Sequence, residues 1–144
     1  MPEQSYAKHA KNVPMFHQVL FLLIVATFVG SLVNLYESLG DHVRLYSAAL
    51  ITAMAVALLL LWFFARVFPL KAQDRAIRAE ENLRHYVLTG TLLDSRLAVK
   101  QIVALRFASD AEFPELARKA AAESMPADEI KKSVKNWRAD HDRL

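Results

Sequence analysis

The stretch FHQVLFLLIVATFVGSLVNL, Phe16 to Leu35, decides the fold together with its counterpart LYSAALITAMAVALLLLWFF, Leu45 to Phe64. Each sits in a longer run without a charged side chain: Asn12 to Tyr36 is 25 residues and Leu45 to Ala65 is 21. A helix rising about 1.5 Å per residue needs roughly 20 such residues to cross a hydrocarbon core of about 30 Å. A buried helix of a small soluble protein is rarely apolar on every side for five turns, so both runs read as transmembrane helices. A signal peptide has an apolar region of about 7–15 residues and a small-residue cleavage site, and the first run has neither feature. Only Glu37 to Arg44 separate the two runs, which predicts a tight antiparallel hairpin.

Orientation follows from the flanking bases. Lys8 and Lys11 precede the first helix, and Arg66, Lys71, Arg75 and Arg78 follow the second, whereas the connection holds Arg44 alone. Cytoplasmic flanks carry the excess of Lys and Arg, so both termini are expected in the cytoplasm of a bacterial inner membrane protein. Trp62, Phe63 and Phe64 would form an interfacial belt, with Arg66 snorkelling beside them.

Small residues mark the expected packing faces. Ala49, Ala53 and Ala57 recur every four residues in the second helix. In the first, Ala26 and Gly30 are four apart, and Thr27, Ser31 and Asn34 share a face. Small residues allow close approach of helices in lipid, and hydroxyl or amide groups can bond across them. These positions therefore predict either packing of the hairpin on itself or contact with a partner. Alternatively the polar strip of Thr27, Ser31 and Asn34 lines a path in an oligomeric channel. Neither apolar run contains Asp, Glu, Lys or Arg, and of the histidines only His17 lies near a helix interior, which disfavours a proton relay or a path for charged substrates.

The whole chain has 144 residues, a net charge of +3, 54% hydrophobic residues and 23% charged ones, which implies segregation of a greasy part from a charged part. Three glycines and five prolines argue against an all-β fold, which needs frequent turns. The absence of cysteine removes disulfides, thiol catalysis and thiolate metal sites together. The expected organisation is all-α: a cytoplasmic segment at 1–15, a transmembrane hairpin at 16–68 with helices at about 16–36 and 45–68, and a cytoplasmic helical domain at 69–144.

Within that last part Pro69 is expected to kink or end the second membrane helix. LKAQDRAIRAEENLRHYVLTG, Leu70 to Gly90, then reads as a helix closed by Gly90. One of its faces, Ala72, Ala76, Ala79, Leu83 and Tyr86, alternates four and three like a coiled-coil seam. That seam would pack inside the tail or against the same helix of another subunit. Lys71, Arg75 and Arg78, with Arg66, form a basic stripe suited to anionic lipid headgroups, at about 1 kcal/mol per charge near the surface. Three further helices are expected: Ser95 to Phe107 with Asp94 as N-cap, Ser109 to about Glu123 from a Ser109/Glu112 capping box, and one opened by Pro126 that buries Ile130, Val134 and Trp137. Pro114 is awkward one turn into the second of these. The tail therefore reads as a bundle of about four short helices.

The stretches LKAQDRAIRAEENLRHYVLTGTLLDSRL, LRFASDAEFPELA and IKKSVKNWRADHDRL resemble a family of small, uncharacterised bacterial membrane proteins with two membrane helices and a helical cytoplasmic tail. The resemblance implies the architecture and an inner-membrane setting, and no activity.

No chemistry-bearing motif competes with this reading. His9, His17, His42, His85 and His141 are not spaced as ligand pairs, and Asp140-His141-Asp142 places adjacent groups in different directions. Phosphate-cradling loops and nucleophile elbows are missing, and Ser95, Ser109 and Ser124 suit caps and turns. The bases are spread over the tail rather than gathered for nucleic acid. No metal, cofactor or small-molecule substrate is called for. The sequence is read as a non-enzymatic scaffold or accessory subunit, with membrane lipids and itself or larger membrane-complex subunits as partners.

Overall fold

In the computed structural model Tyr6 and residues 12–140 are described; Lys8, His9, Lys11, His141 and Asp142 lie outside the described residues. All regular structure among them is helical, apart from one isolated antiparallel bridge between Ala108 and Trp137. A wide π turn, Met15–Leu20, runs into α1, Phe21–Glu37. Then come α2 (His42–Thr89), α3 (Val99–Leu105), α4 (Phe113–Glu123) and α5 (Ala127–Ser133). The chain divides into two compact units: Asn12–Phe68, and Pro69–Leu144 with the N-terminal segment.

In the first unit the turn after α1 is set by Gly40 at φ +99°, a conformation that strains any residue with a Cβ. Asp41 then caps α2, its carboxylate accepting the Val43 and Arg44 N–H groups at 3.1 and 3.2 Å. Met15–Glu37 and His42–Thr89 are both long and apolar enough to cross a membrane, and only 11% of the apolar window of each is buried. A core helix of a soluble protein would be covered; these are not.

Pro69 does not end the helix. The α2 assignment continues through it to Thr89, 48 residues in all, so the first of the four expected tail helices is the continuation of α2. Proline deprives the carbonyl four residues earlier of one hydrogen bond. The runs on either side, ALLLLWFFARVF and LKAQDRAIRAEENLR, are strong enough helix formers to carry the helix across that gap. Gly90 does end it, at φ +76°, its N–H bonded to the Tyr86 carbonyl at 2.8 Å.

The second unit has a conventional core of Leu105, Phe113, Ala104, Ala120, Ile130 and neighbours from α3, α4 and α5, with Phe107 also fully buried. Its helices are shorter than the sequence suggests. Asp94 does not cap α3; its carboxylate turns back onto the Arg96 N–H (2.9 Å) and guanidinium (2.6 Å). The helix starts at Val99, where the Gln101 side chain accepts the Ala98 N–H at 2.7 Å. Ser109 to Glu112 form a turn, and α4 starts at Phe113. This resolves the position of Pro114, which occupies the first helical turn, where its missing N–H has no role.

The last helix opens after Pro126, and it stops at Ser133 instead of continuing through Trp137. Stronger acceptors elsewhere take the next backbone donors. Glu112 accepts the Lys135 and Asn136 N–H groups at 3.2 and 3.1 Å, and the Phe107 carbonyl accepts that of Arg138 at 2.8 Å. Residues 134–140 thus form an extended strap across the turn between α3 and α4, with Val134 buried and Trp137 against Phe107, ring centroids 4.8 Å apart.

Candidate interaction surfaces

In the first unit the buried positions are Ile24, Ser31, Ser38, Ala48 and Ala55, with Phe28, Leu35, Leu45, Thr52, Leu59 and Trp62 half-buried between them. On both helices these alternate three and four, the 3.5-residue period that keeps one line of contact. The Thr52 hydroxyl is shared between the Ser31 carbonyl at 3.2 Å and its own helix's Ala48 carbonyl at 3.0 Å. Trp62 donates its indole N–H to the Phe16 carbonyl at 3.1 Å, and its ring lies 4.7 Å from that of Phe21 and 5.7 Å from that of Phe16. The wide turn at Met15–Leu20 coincides with this contact.

Of the residues expected to pack here, Ser31 alone is in the seam. Ala26, Thr27, Gly30, Asn34, Ala49, Ala53 and Ala57 are all exposed. The reason is rotational: a step of four advances about 40° round a helix, so an every-four stripe winds away from a straight line of contact. Ala48, one residue before the expected stripe, and Ala55, midway between Ala53 and Ala57, supply the close approach. The polar groups of the strip are largely satisfied at home, Thr27 by the Leu23 carbonyl at 2.8 Å and Ser31 by the Phe28 carbonyl at 2.7 Å. A Cβ added at Gly30 would meet nothing within 4 Å.

In the second unit α2 has two distinct faces. Ile77 and Glu81 are buried, and Arg84 nearly so. Arg84 is a hub: it bonds Glu81 at 3.0 Å, Asp110 at 2.6 Å and the Ala108 carbonyl at 2.7 Å, and its guanidinium lies 4.4 Å from the centre of the Phe113 ring. Arg138 adds a longer pair to Glu81 at 3.9 Å. Buried charges of this kind need such partners to be tolerated at all. The opposite face, Ala72, Ala76, Ala79, Leu83 and Tyr86, is exposed, with Leu83 64% and Tyr86 54% accessible. The expected packing of that seam inside the tail is therefore absent from this unit. Lys71, Arg75 and Arg78 are exposed as well, and Arg66 is half-buried.

Sequence reading missed the Arg84 hub, and it singled out Glu112 only as the partner of Ser109, whose N–H its carboxylate does accept at 3.2 Å. Burial pushes the Glu112 carboxyl up, but N–H groups of Asn136, Lys135 and Ser109 outweigh it and hold it below its usual range. The side-chain and backbone bonds to Arg96 hold Asp94 down to about 2. The capping-box spacing did point at Glu112, though not at the strap it would seize.

A groove of about 730 Å³ in this unit is lined by His85, Thr89, Leu92, Asp94, Pro114, Glu115 and Arg118 among others. His85 lies 2.7 Å from the Thr91 carbonyl through Nδ1, so that nitrogen carries the proton, and its ring stands edge-on to Phe113. No group of three metal-ligating side chains occurs among the described residues.

No curated protein and no solved structure matches the chain. The match to a protein family extends over residues 1–144, and the chain accordingly belongs to a family of unknown function, DUF6526.

Proposed function

We propose that this chain is a non-enzymatic scaffold or accessory subunit of a bacterial inner membrane, made of a two-helix hairpin anchor and a helical cytoplasmic interaction module. The observation that carries this reading is the inverted distribution of apolar side chains. Leu22, Leu23, Val29, Met54, Leu60 and Leu61 stand exposed around the two long helices, whereas the second unit hides its phenylalanines. About 23 residues of Met15–Glu37 span about 34 Å as helix, enough for a hydrocarbon core. Contacts of Thr52 with Ser31 and of Trp62 with Phe16 support an antiparallel pairing of the two spans.

Both termini face the cytoplasm in this reading, because Lys8, Lys11, Arg66, Lys71, Arg75 and Arg78 flank the spans on one side and Arg44 stands alone on the other. The same bases meet anionic headgroups. A channel lined by Thr27, Ser31 and Asn34 ranks second, since the hydroxyls of Thr27 and Ser31 already donate to carbonyls of their own helix.

Native mass spectrometry of the gently extracted complex tests the proposal. Multiples of 16.3 kDa, or co-purification with larger membrane subunits, are expected. A monomer released by alkaline washing of the membranes would overturn it.

A further inference from the structure

We infer that the exposed face of α2 beyond Pro69 is the docking surface for a second copy of this chain, the two α2 helices running side by side in the same direction. This rests on the membrane reading above, which gives both copies the same orientation. Glu81 and Arg84 tie the opposite face of the helix to Asp110, Arg138 and the Ala108 carbonyl of the chain's own tail, Ile77 is buried on that same face, and Leu83 and Tyr86 remain large, apolar and exposed. They belong to the line 72, 76, 79, 83, 86, whose alternation of four and three is the period of a two-stranded coil. Alanine at its first three positions lets the helices approach closely before Leu83 and Tyr86 widen the contact.

Charge complementarity selects the occupant. With that line as the seam, Arg75 and Glu80 are the flanking residues, one on each side and five positions apart. In a parallel pair, the flank residue on one helix meets the residue five positions on in its partner. Arg75 of each copy therefore faces Glu80 of the other, twice over by symmetry. Both side chains are exposed, and among the described residues no ion pair engages either. Two heptads would hold soluble helices together poorly, but confinement of both copies to one membrane makes the encounter nearly intramolecular. The arrangement withdraws Arg75 from the headgroup stripe and leaves Arg66, Lys71 and Arg78 to the lipid.

The chain has no cysteine, so single cysteines report cleanly on this face. The full-length protein is oxidised in its membranes as Ala76→Cys, Ala79→Cys or Arg78→Cys. Disulfide-linked dimer of this chain is expected severalfold more readily from Ala76→Cys and Ala79→Cys than from Arg78→Cys. In the Ala79→Cys background, Arg75→Glu or Glu80→Arg alone should lower the dimer yield severalfold, and the two together should restore it. Protein that stays in alkali-washed membranes but cross-links equally from 78 and 79, or to a different protein, or without rescue by the double reversal, overturns the pairing while leaving the anchor intact. Protein lost from the washed membranes overturns both.

Discussion

The two units of this chain are built from the same element and turned inside out with respect to each other. Residues 12–68 keep small and hydroxyl-bearing groups inside, Ser31, Ala48, Thr52 and Ala55, and display leucine, valine and phenylalanine. The tail buries Leu105, Phe107, Phe113 and Ile130 and displays most of its charges, Glu81, Arg84 and Arg106 excepted. Water makes the second arrangement stable through burial of apolar surface. In lipid that term vanishes between helices, and close packing with a few hydrogen bonds takes over. On the membrane reading proposed above the contrast reflects two solvents, and variants in the two units should then fail for different reasons.

The largest effect is expected at Phe113, fully buried beneath the Arg84 guanidinium. Phe113→Ala should cost the tail about 3–5 kcal/mol, read as loss of amide-exchange protection in α3–α5 with the Asn12–Phe68 amides unchanged. Equal loss of protection in both units would remove the distinction between them. Next, Glu81→Ala leaves Arg84 with Asp110 and the Ala108 carbonyl only, and about 2–3 kcal/mol is expected by the same measurement.

The first unit should respond to volume in the opposite sense. Ala48→Leu overfills the seam and should lower its stability by about 2 kcal/mol, whereas Ala49→Leu and Gly30→Leu change only the outer surface. Thermal melts in detergent micelles separate them: a drop for Ala48→Leu alone is expected, and a drop for Ala49→Leu of the same size would put the seam on the wrong face.

The smallest effect is at the strap. Glu112→Gln should cost about 1 kcal/mol, the scale of a lost cap. Because the folded carboxyl is held below its ordinary value of 4.5, its contribution is complete above that value and fades as pH falls through the depressed one. Protection of the Lys135 and Asn136 amides, taken relative to the intrinsic exchange rate at each pH, should therefore fall on acidification below about 4.5 in the native chain and stay flat in Glu112→Gln. Asp94, held down to about 2, should yield only at lower pH still.

Element types were legible where periodicity or punctuation is strong. Two charge-free runs long enough to cross a hydrocarbon core, Gly90 at a helix end and Pro126 at a helix start all leave local marks in the chain. Boundaries were less legible because they were settled by partners remote in sequence. Nothing near Ser133 announces that Glu112 and Phe107 will take the following N–H groups. At Pro69 the flanking helix formers are visible in the sequence, and only their weight against one missing bond is not. The packing face was missed for a geometric reason, since a stripe of alanines every four residues catches the eye more readily than the alternation of Ile24, Phe28, Ser31, Leu35 and Ser38. The Arg84 hub gathers groups 24 and 26 residues away, and its nearest signal was the Glu81–Arg84 spacing alone.

The central claim is that the exposed apolar unit lies in lipid with its connecting turn and its tail on opposite sides. Single cysteines at Asp41 and at Glu115 test it in intact cells with a membrane-impermeant thiol reagent. Labelling of Asp41→Cys from outside, with Glu115→Cys protected until the membrane is permeabilised, is the predicted result. Labelling of both positions, or of neither before permeabilisation, would contradict it.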